Sequence, residues 1–355
     1  MVATVRREPF GWAVAFARPQ MLVLLGRRDV EAEGIDPAVP YEAHLTLSHR
    51  CRQNCPVCYI DSRPDGEAEL DFDTWCRVVE RLAQLGVFHL ALGAGEDQDL
   101  DSLVALAQKA RQLGLTPNLS TAASKITPEL AKKLRVFERV HLSLDGFESP
   151  RWLALKILRA YHKRVGVNLV LTAQNLADFP RIIKRLSKER VRTVELLRFK
   201  PAGRGAKNYQ LLAPRPEQLD DLAEQALRLA LPHFVNVRLD CSLTPFLCQG
   251  RWGPKLLASL GIAGCVGGSW FLSIDGRGKL CGCSFAHGPQ DHSWENVGYT
   301  DVAAPFRAFL KDPPSPCREC AYLFLCRGGC RVVAGELSGD FLAPDPHCPK
   351  VRKQR

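Results

Sequence analysis

The chain has 355 residues, 46% of them hydrophobic and 24% charged, with a net charge of +10 and fourteen cysteines. That balance excludes a disordered or fibrous protein and suits one large globular domain, or a large one with a small companion. No run is long and apolar enough to span a membrane. The first residues lack the apolar stretch and cleavage site of a signal peptide, so the expected location is the cytoplasm. Disulfides are rare in that reducing compartment, and fourteen cysteines point to metal instead.

In the first forty residues, Phe10 to Phe16 and Met21 to Leu25 flank Ala17-Arg18-Pro19-Gln20. This predicts two strands around a turn, an N-terminal β-hairpin cap over residues 1–40. From Tyr41 to about Leu239, short β-rich runs alternate with helical patterns, which predicts a parallel sheet with helices packed outside. The candidate strands are Ala43 to Leu47, Phe88 to Leu92, Thr116 to Leu119, Val140 to Leu144, Val167 to Leu171 and Val194 to Phe199. Asp71 is placed to cap the helix carrying Trp75, Val78, Val79 and Leu82, and Thr127 to cap one that opens on Pro128. The fold class is therefore α/β. Six such units over residues 41–240 suit a partial (β/α)6 barrel, with ligands at the carboxyl ends of the strands. The basic run from Arg181 to Arg192 reads as a solvated helix face, with an acidic partner as the alternative. No aromatic residues interleave with it to stack on bases, so nucleic acid is not an expected partner.

The first barrel strand runs into Cys51, Cys55 and Cys58. Three thiolates on one loop can hold three corners of an iron-sulfur cube and leave the fourth iron open to a ligand. A structural zinc knuckle is the alternative filling. The placement and spacing of the three cysteines resemble the cluster loop of radical S-adenosylmethionine (SAM) enzymes. The resemblance implies a 4Fe-4S cluster at Cys51, Cys55 and Cys58 whose open iron chelates SAM, and reductive cleavage of SAM to a 5'-deoxyadenosyl radical. The family usually has an aromatic residue just before the third cysteine; here Val57 stands there and Tyr59 follows. One unit later, Gly93-Ala94-Gly95-Glu96-Asp97 is similar to the family's Gly-Gly-Glu-Pro motif, with Ala94 and Asp97 as departures. By that likeness Gly95 and Glu96 meet the SAM amino group. Ser120 and Asp145, at later strand ends, are the first choices for the ribose hydroxyls. Arg198, by resemblance, approaches the SAM carboxylate.

After Leu239 the alternation stops and cysteine, proline and glycine become dense, which marks a second region over residues 241–355. It carries Cys265, Cys281, Cys317, Cys320, Cys326, Cys330 and Cys348, with Gly276 five residues before Cys281. Seven soft thiols so grouped require metal, either iron-sulfur or two zincs. The spacing resembles the seven-cysteine SPASM extension, which implies two auxiliary iron-sulfur clusters. Cys317, Cys320, Cys326 and Cys348 would hold the distal one, and Cys265, Cys281 and Cys330 the one nearer the barrel. The nearer cluster then has an open iron or a fourth ligand from Cys248, Cys241 or Cys283, of which Cys248 is preferred. Cys76, inside a helix, reads as a core residue.

Auxiliary clusters suit net oxidation, because they can take an electron from a substrate radical. The expected function is oxidative maturation of a ribosomally made peptide, with SAM as cosubstrate and an external electron donor such as flavodoxin or ferredoxin. Gly282, where sulfatase maturases carry an acid, argues against that activity, and Asp240, Asp275 and Glu295 are candidate bases. A maturase of a small cofactor or haem precursor, and a non-catalytic electron-transfer protein, are the alternatives.

Overall fold

The structure, a computed structural model, describes residues 3–17, 20–26, 37–66, 69–95, 99–286, 292–295 and 298–354. Strands β1 (Ala3–Glu8), β2 (Gly11–Ala17) and β3 (Gln20–Gly26) form a small antiparallel sheet. The expected hairpin is β2 with β3, and β1 adds a third strand that its Arg6, Arg7 and Glu8 disguise in the sequence. Ala13 and Ala15 turn their small side chains inward, against Tyr41 and Phe88. The Arg6 guanidinium lies over both rings, 5.0 and 4.7 Å from their centroids, and donates to the carbonyls of Val39 and Gly86 at 2.7 Å. Those contacts fasten the small sheet to the main body.

The main sheet has nine strands: β4 (Glu42–Thr46), β5 (His89–Ala94), β6 (Thr116–Thr121), β7 (Val140–Leu144), β8 (Val165–Leu171), β9 (Thr193–Arg198), β10 (Asn236–Leu239), β11 (Phe271–Ile274) and β12 (Leu280–Cys281). Their spatial order is β10-β9-β8-β7-β6-β5-β4-β11-β12, parallel throughout except for the β11–β12 pair. All six expected strands form, in chain order from β4 to β9. Helices α1 (Phe72–Leu85), α2 (Leu100–Gln112), α3 (Pro128–Lys133), α4 (Trp152–Tyr161) and α5 (Phe179–Lys188) alternate with them, and α6 (Arg204–Leu212) follows β9. The caps lie where expected. Asp71 accepts from the Thr74 amide at 2.7 Å, and Thr127 from that of Leu130 at 3.2 Å. This is the α/β architecture of a partial barrel, and the sheet does not close on itself.

The period-two alternation sets the two faces of the sheet. Leu45, Leu92, Leu119, Leu142, Leu169 and Leu196 are buried in the core under the helices. On the opposite face, His141 Nδ1 bonds Asn168 Oδ1 at 2.8 Å, Asn168 donates to Ser120 Oγ at 3.1 Å, and Glu195 lies 3.7 Å from His141. The concave face is thus polar. Among the described residues, no helix is long and apolar enough to cross a membrane.

Candidate functional site

The loop after β4 carries Cys51, Cys55 and Cys58 at the carboxyl end of the sheet, and it is held from several sides. The Cys51 amide donates to the Arg63 carbonyl at 3.1 Å, and the Glu69 carboxylate accepts from Ser48 Oγ and the His49 amide, both at 2.6 Å. On the other side, Arg204 at the start of α6 donates to Asn54 Oδ1 at 2.6 Å and to the Ser62 carbonyl. The amide of Gly205 donates to the Cys58 carbonyl at 3.2 Å. Gly203 has φ +55°, and a Cβ there would fall on the Tyr59 carbonyl and come within 2.8 Å of the Cys58 oxygen. Glycine is required at that close approach.

All three cysteines are free and partly accessible. Burial pushes the Cys55 thiol up, with nearby Arg151 opposing, and Cys58 and Cys51 are near enough to act on it. Among the described residues no three histidine, cysteine or carboxylate side chains close around a single ion. The fit to a cube rests on the donor type: three soft thiols sharing one loop, with the Ser62 amide donating to Cys58 Sγ at 3.4 Å. Val57 packs with Phe199 and Tyr209, while the Tyr59 ring turns to Phe285, 4.6 Å away, with its hydroxyl 3.5 Å from Thr46 Oγ1.

Gly95 lies against this loop: a Cβ on it would come 3.2 Å from Cys51 Sγ. Glu96 lies outside the described residues. Ser120 accepts from Asn168 and keeps its own proton to donate. Neighbouring Asn118 keeps a buried side-chain oxygen with no hydrogen-bond partner among the described residues. Asp145 is exposed and 3.2 Å from Arg151, which donates to Gln53 Oε1 at 2.9 Å and to the Ala122 carbonyl at 2.8 Å. Arg151 and Gln53 therefore join the expected ribose acid to the cysteine loop. Neither carries a motif, and only the tertiary fold reveals them.

Arg198 is elsewhere. It shares the parity of Val194 and Leu196, so it leaves the sheet on the outer face, not toward the polar concave one. There it is buried and donates to Asp345 at 2.6 and 3.1 Å and to the Ser242 carbonyl at 3.1 Å. Its expected place at a SAM carboxylate is corrected to an internal ion pair. Two candidate bases are likewise engaged: Asp240 pairs with Lys200, and Asp275 faces His49 at 3.5 Å while accepting from the amides of Arg277 and Lys279.

The model of the Radical SAM superfamily matches residues 45–186, a stretch that opens with the cysteine loop. Residues 45–186 are thus a radical SAM domain. The chain is 27% identical over 342 residues to the PqqA peptide cyclase of Gluconobacter oxydans, covering 88% of the chain and 91% of the relative. It is 29% identical over 347 residues to the PqqA peptide cyclase of Ruegeria pomeroyi, covering 90% of each. Among solved structures, Streptococcus suis SuiB bound to S-adenosylmethionine superposes with a TM-score of 0.76, 14% identity and 98% of both chains covered. Native anSMEcpe with bound AdoMet and Cp18Cys peptide superposes with a TM-score of 0.66 and 15% identity, over 88% of this chain and 95% of that one. At such identities the two structures establish a shared fold.

Most of the C-terminal cysteines fall into two groups. In the distal group Cys317, Cys320, Cys326 and Cys348 line one cavity, and Cys248 lines it with them. Burial and the neighbouring thiols push Cys317 up to about 12 and Cys348 up to about 11. Cys248, preferred from the sequence for the nearer cluster, lies here beside Cys326 in the distal group. Nearer the barrel, Cys241, Cys265, Cys283 and Cys330 are close enough to act on one another, while Cys281 sits on β12 beside Asp275. Lys200 stands beside this group, its ammonium 4.1 Å from the Phe285 ring centroid. Burial would lower its pKa, yet the Asp240 carboxylate and the thiols of Cys330 and Cys241 hold it above the usual lysine range.

Proposed function

We propose that this radical SAM enzyme oxidatively modifies a ribosomally made peptide, forming a crosslink or a similar bond. The observation that carries the reading is the match to PqqA peptide cyclases along nearly the whole of both chains. Cys51, Cys55 and Cys58 would hold the 4Fe-4S cluster. Bound there with SAM, such a cluster would supply the electron for reductive cleavage of the sulfonium and so the hydrogen-abstracting chemistry.

The protein's own residues hold and orient. The backbone at Gly95 lies against Cys51, where it would border a ligand bound to a cluster on this loop. Ser120 and Asp145 offer a hydroxyl and a carboxylate at strand ends, and Arg151 ties Asp145 to the loop through Gln53. The two C-terminal thiol groups would hold auxiliary clusters that accept the electron left on the oxidised peptide. Flavodoxin or ferredoxin in the cytoplasm is the expected external donor. The test is anaerobic: reconstitute with iron and sulfide, add dithionite and SAM, and measure 5'-deoxyadenosine by liquid chromatography. The nucleoside should form with the parent enzyme and vanish with Cys55→Ala. Its absence from the fully reconstituted parent would overturn the reading.

A further inference from the structure

The nearer thiol group departs from the family pattern. Four segments converge on it. Cys241 follows Asp240, whose carboxylate pairs with Lys200 and accepts from the Ser242 amide at 3.1 Å. Thr244, on the same turn, donates to the Ala263 carbonyl at 2.8 Å and so draws the Cys241 turn against the Ala263-Gly264-Cys265 segment. Gly264 donates to the Leu325 carbonyl at 2.7 Å, and a Cβ on it would fall on the Cys326 backbone, which brings Cys265 against the turn leading to Cys330. Cys330 is held by its amide, which donates to Asp345 at 3.1 Å.

Cys283 is delivered by the glycine between it and Cys281. The Gly268 amide donates to the Gly282 carbonyl at 2.8 Å, and a Cβ on Gly282 would fall on the Phe306 ring. With no side chain at Gly282, the Cys281-Gly282-Cys283 turn closes onto the Cys265–Gly268 segment. Cys283 then packs with Cys330, Ala202, Tyr59 and Phe285 in one cluster. Cys281 stays on β12, opposite Ser273, where the Ser273 hydroxyl donates to its carbonyl at 3.3 Å. Its thiol faces the amides of Gly282 and Cys283 and the Asp275 carboxylate.

We propose that Cys241, Cys265, Cys283 and Cys330 together hold the auxiliary cluster nearer the barrel, and that Cys281 lies outside it. This rests on the reading of the cysteine-rich region as iron-sulfur binding. Four soft thiols from four segments match the four corners of a cube, so no iron is left open. A closed cluster cannot bind a substrate heteroatom. Its role is to take an electron.

The experiment compares the reconstituted parent enzyme with Cys281→Ala and Cys283→Ala by iron analysis, Mössbauer and EPR spectroscopy, with circular dichroism as a folding control. The parent should carry about twelve irons as three cubes, Cys281→Ala should keep all three, and Cys283→Ala should lose the signal of one. A Cys281→Ala variant lacking one cluster, or a Cys283→Ala variant retaining all three, would overturn the ligand set while leaving the auxiliary-cluster reading intact. A parent with only about four irons would overturn both. If Cys283→Ala does not fold, the Cys281→Ala result decides alone.

Discussion

The Arg198–Asp345 pair gives the sharpest prediction, because it separates a structural arginine from a ligand-binding one. Both side chains are almost wholly inaccessible, at 2% and 0% exposure. Replacing Arg198 with Gln leaves a carboxylate buried without its cation, a change that costs about 3–5 kcal/mol. Asp345 would still accept from the amides of Cys330 at 3.1 Å and His347 at 3.0 Å. The lower end is therefore expected: about 3 kcal/mol, or roughly a hundredfold in the folding equilibrium. Urea unfolding followed by tryptophan fluorescence reads the loss, and adding Asp345→Asn to Arg198→Gln should recover a large part of it.

The pH dependence supplies a sign. Burial would raise the Asp345 carboxyl, but the Arg198 guanidinium beside it holds it below the usual carboxylate range. In the parent its contribution is present above about pH 4 and is lost as pH falls through the depressed folded value. Without Arg198, burial raises the folded value above the unfolded one, so stability contributed by this group is lost as pH rises. The variant should be more stable at pH 5 than at pH 8. An unchanged urea midpoint together with lost SAM affinity would refute the internal pair and return Arg198 to the ligand.

Three further outcomes follow from the same contacts. Gly203→Ala forces a side chain onto the Tyr59 carbonyl at a left-handed φ, a strain of at least 1–2 kcal/mol before the clash is counted; iron analysis should show about four irons lost and no 5'-deoxyadenosine. Lys200→Met removes the cation beside the nearer thiol group, so an EPR-monitored redox titration should place that cluster at a lower potential than in the parent. Acid unfolding of the parent should begin below about pH 4, where Asp345 and Asp240, both held down by their cations, start to take up protons. A transition centred near pH 6 would contradict it.

The barrel was legible in the sequence because its signals are local. Alternation marks β4 to β9, and Asp71 and Thr127 announce their helices by cap chemistry that spans three residues. The cysteine loop was legible for the same reason. What escaped was set at long range. Arg198 finds its partner 147 residues away, and strand parity alone would have turned it from the concave face. Cys281 and Cys283 differ by one intervening glycine, and only the packing of Gly282 against Gly268 and Phe306 decides which thiol meets Cys265. Strand β11 is four residues of Phe-Leu-Ser-Ile in a region without periodicity, and nothing in them states that they pair with β4.

That pairing also orders the events of assembly. β4, from which the first three cysteines spring, lies between β5 and β11, and β11 is made more than two hundred residues later. Gly276, just beyond β11, accepts from the Leu70 amide at 2.8 Å and packs beside His49, so the loop's own footing includes late-synthesised chain. The cysteine loop therefore stays on an unfinished edge until the chain up to residue 276 has been made and released to fold. A chain cut short at the end of the barrel would keep its three cysteines and lack the floor they stand on.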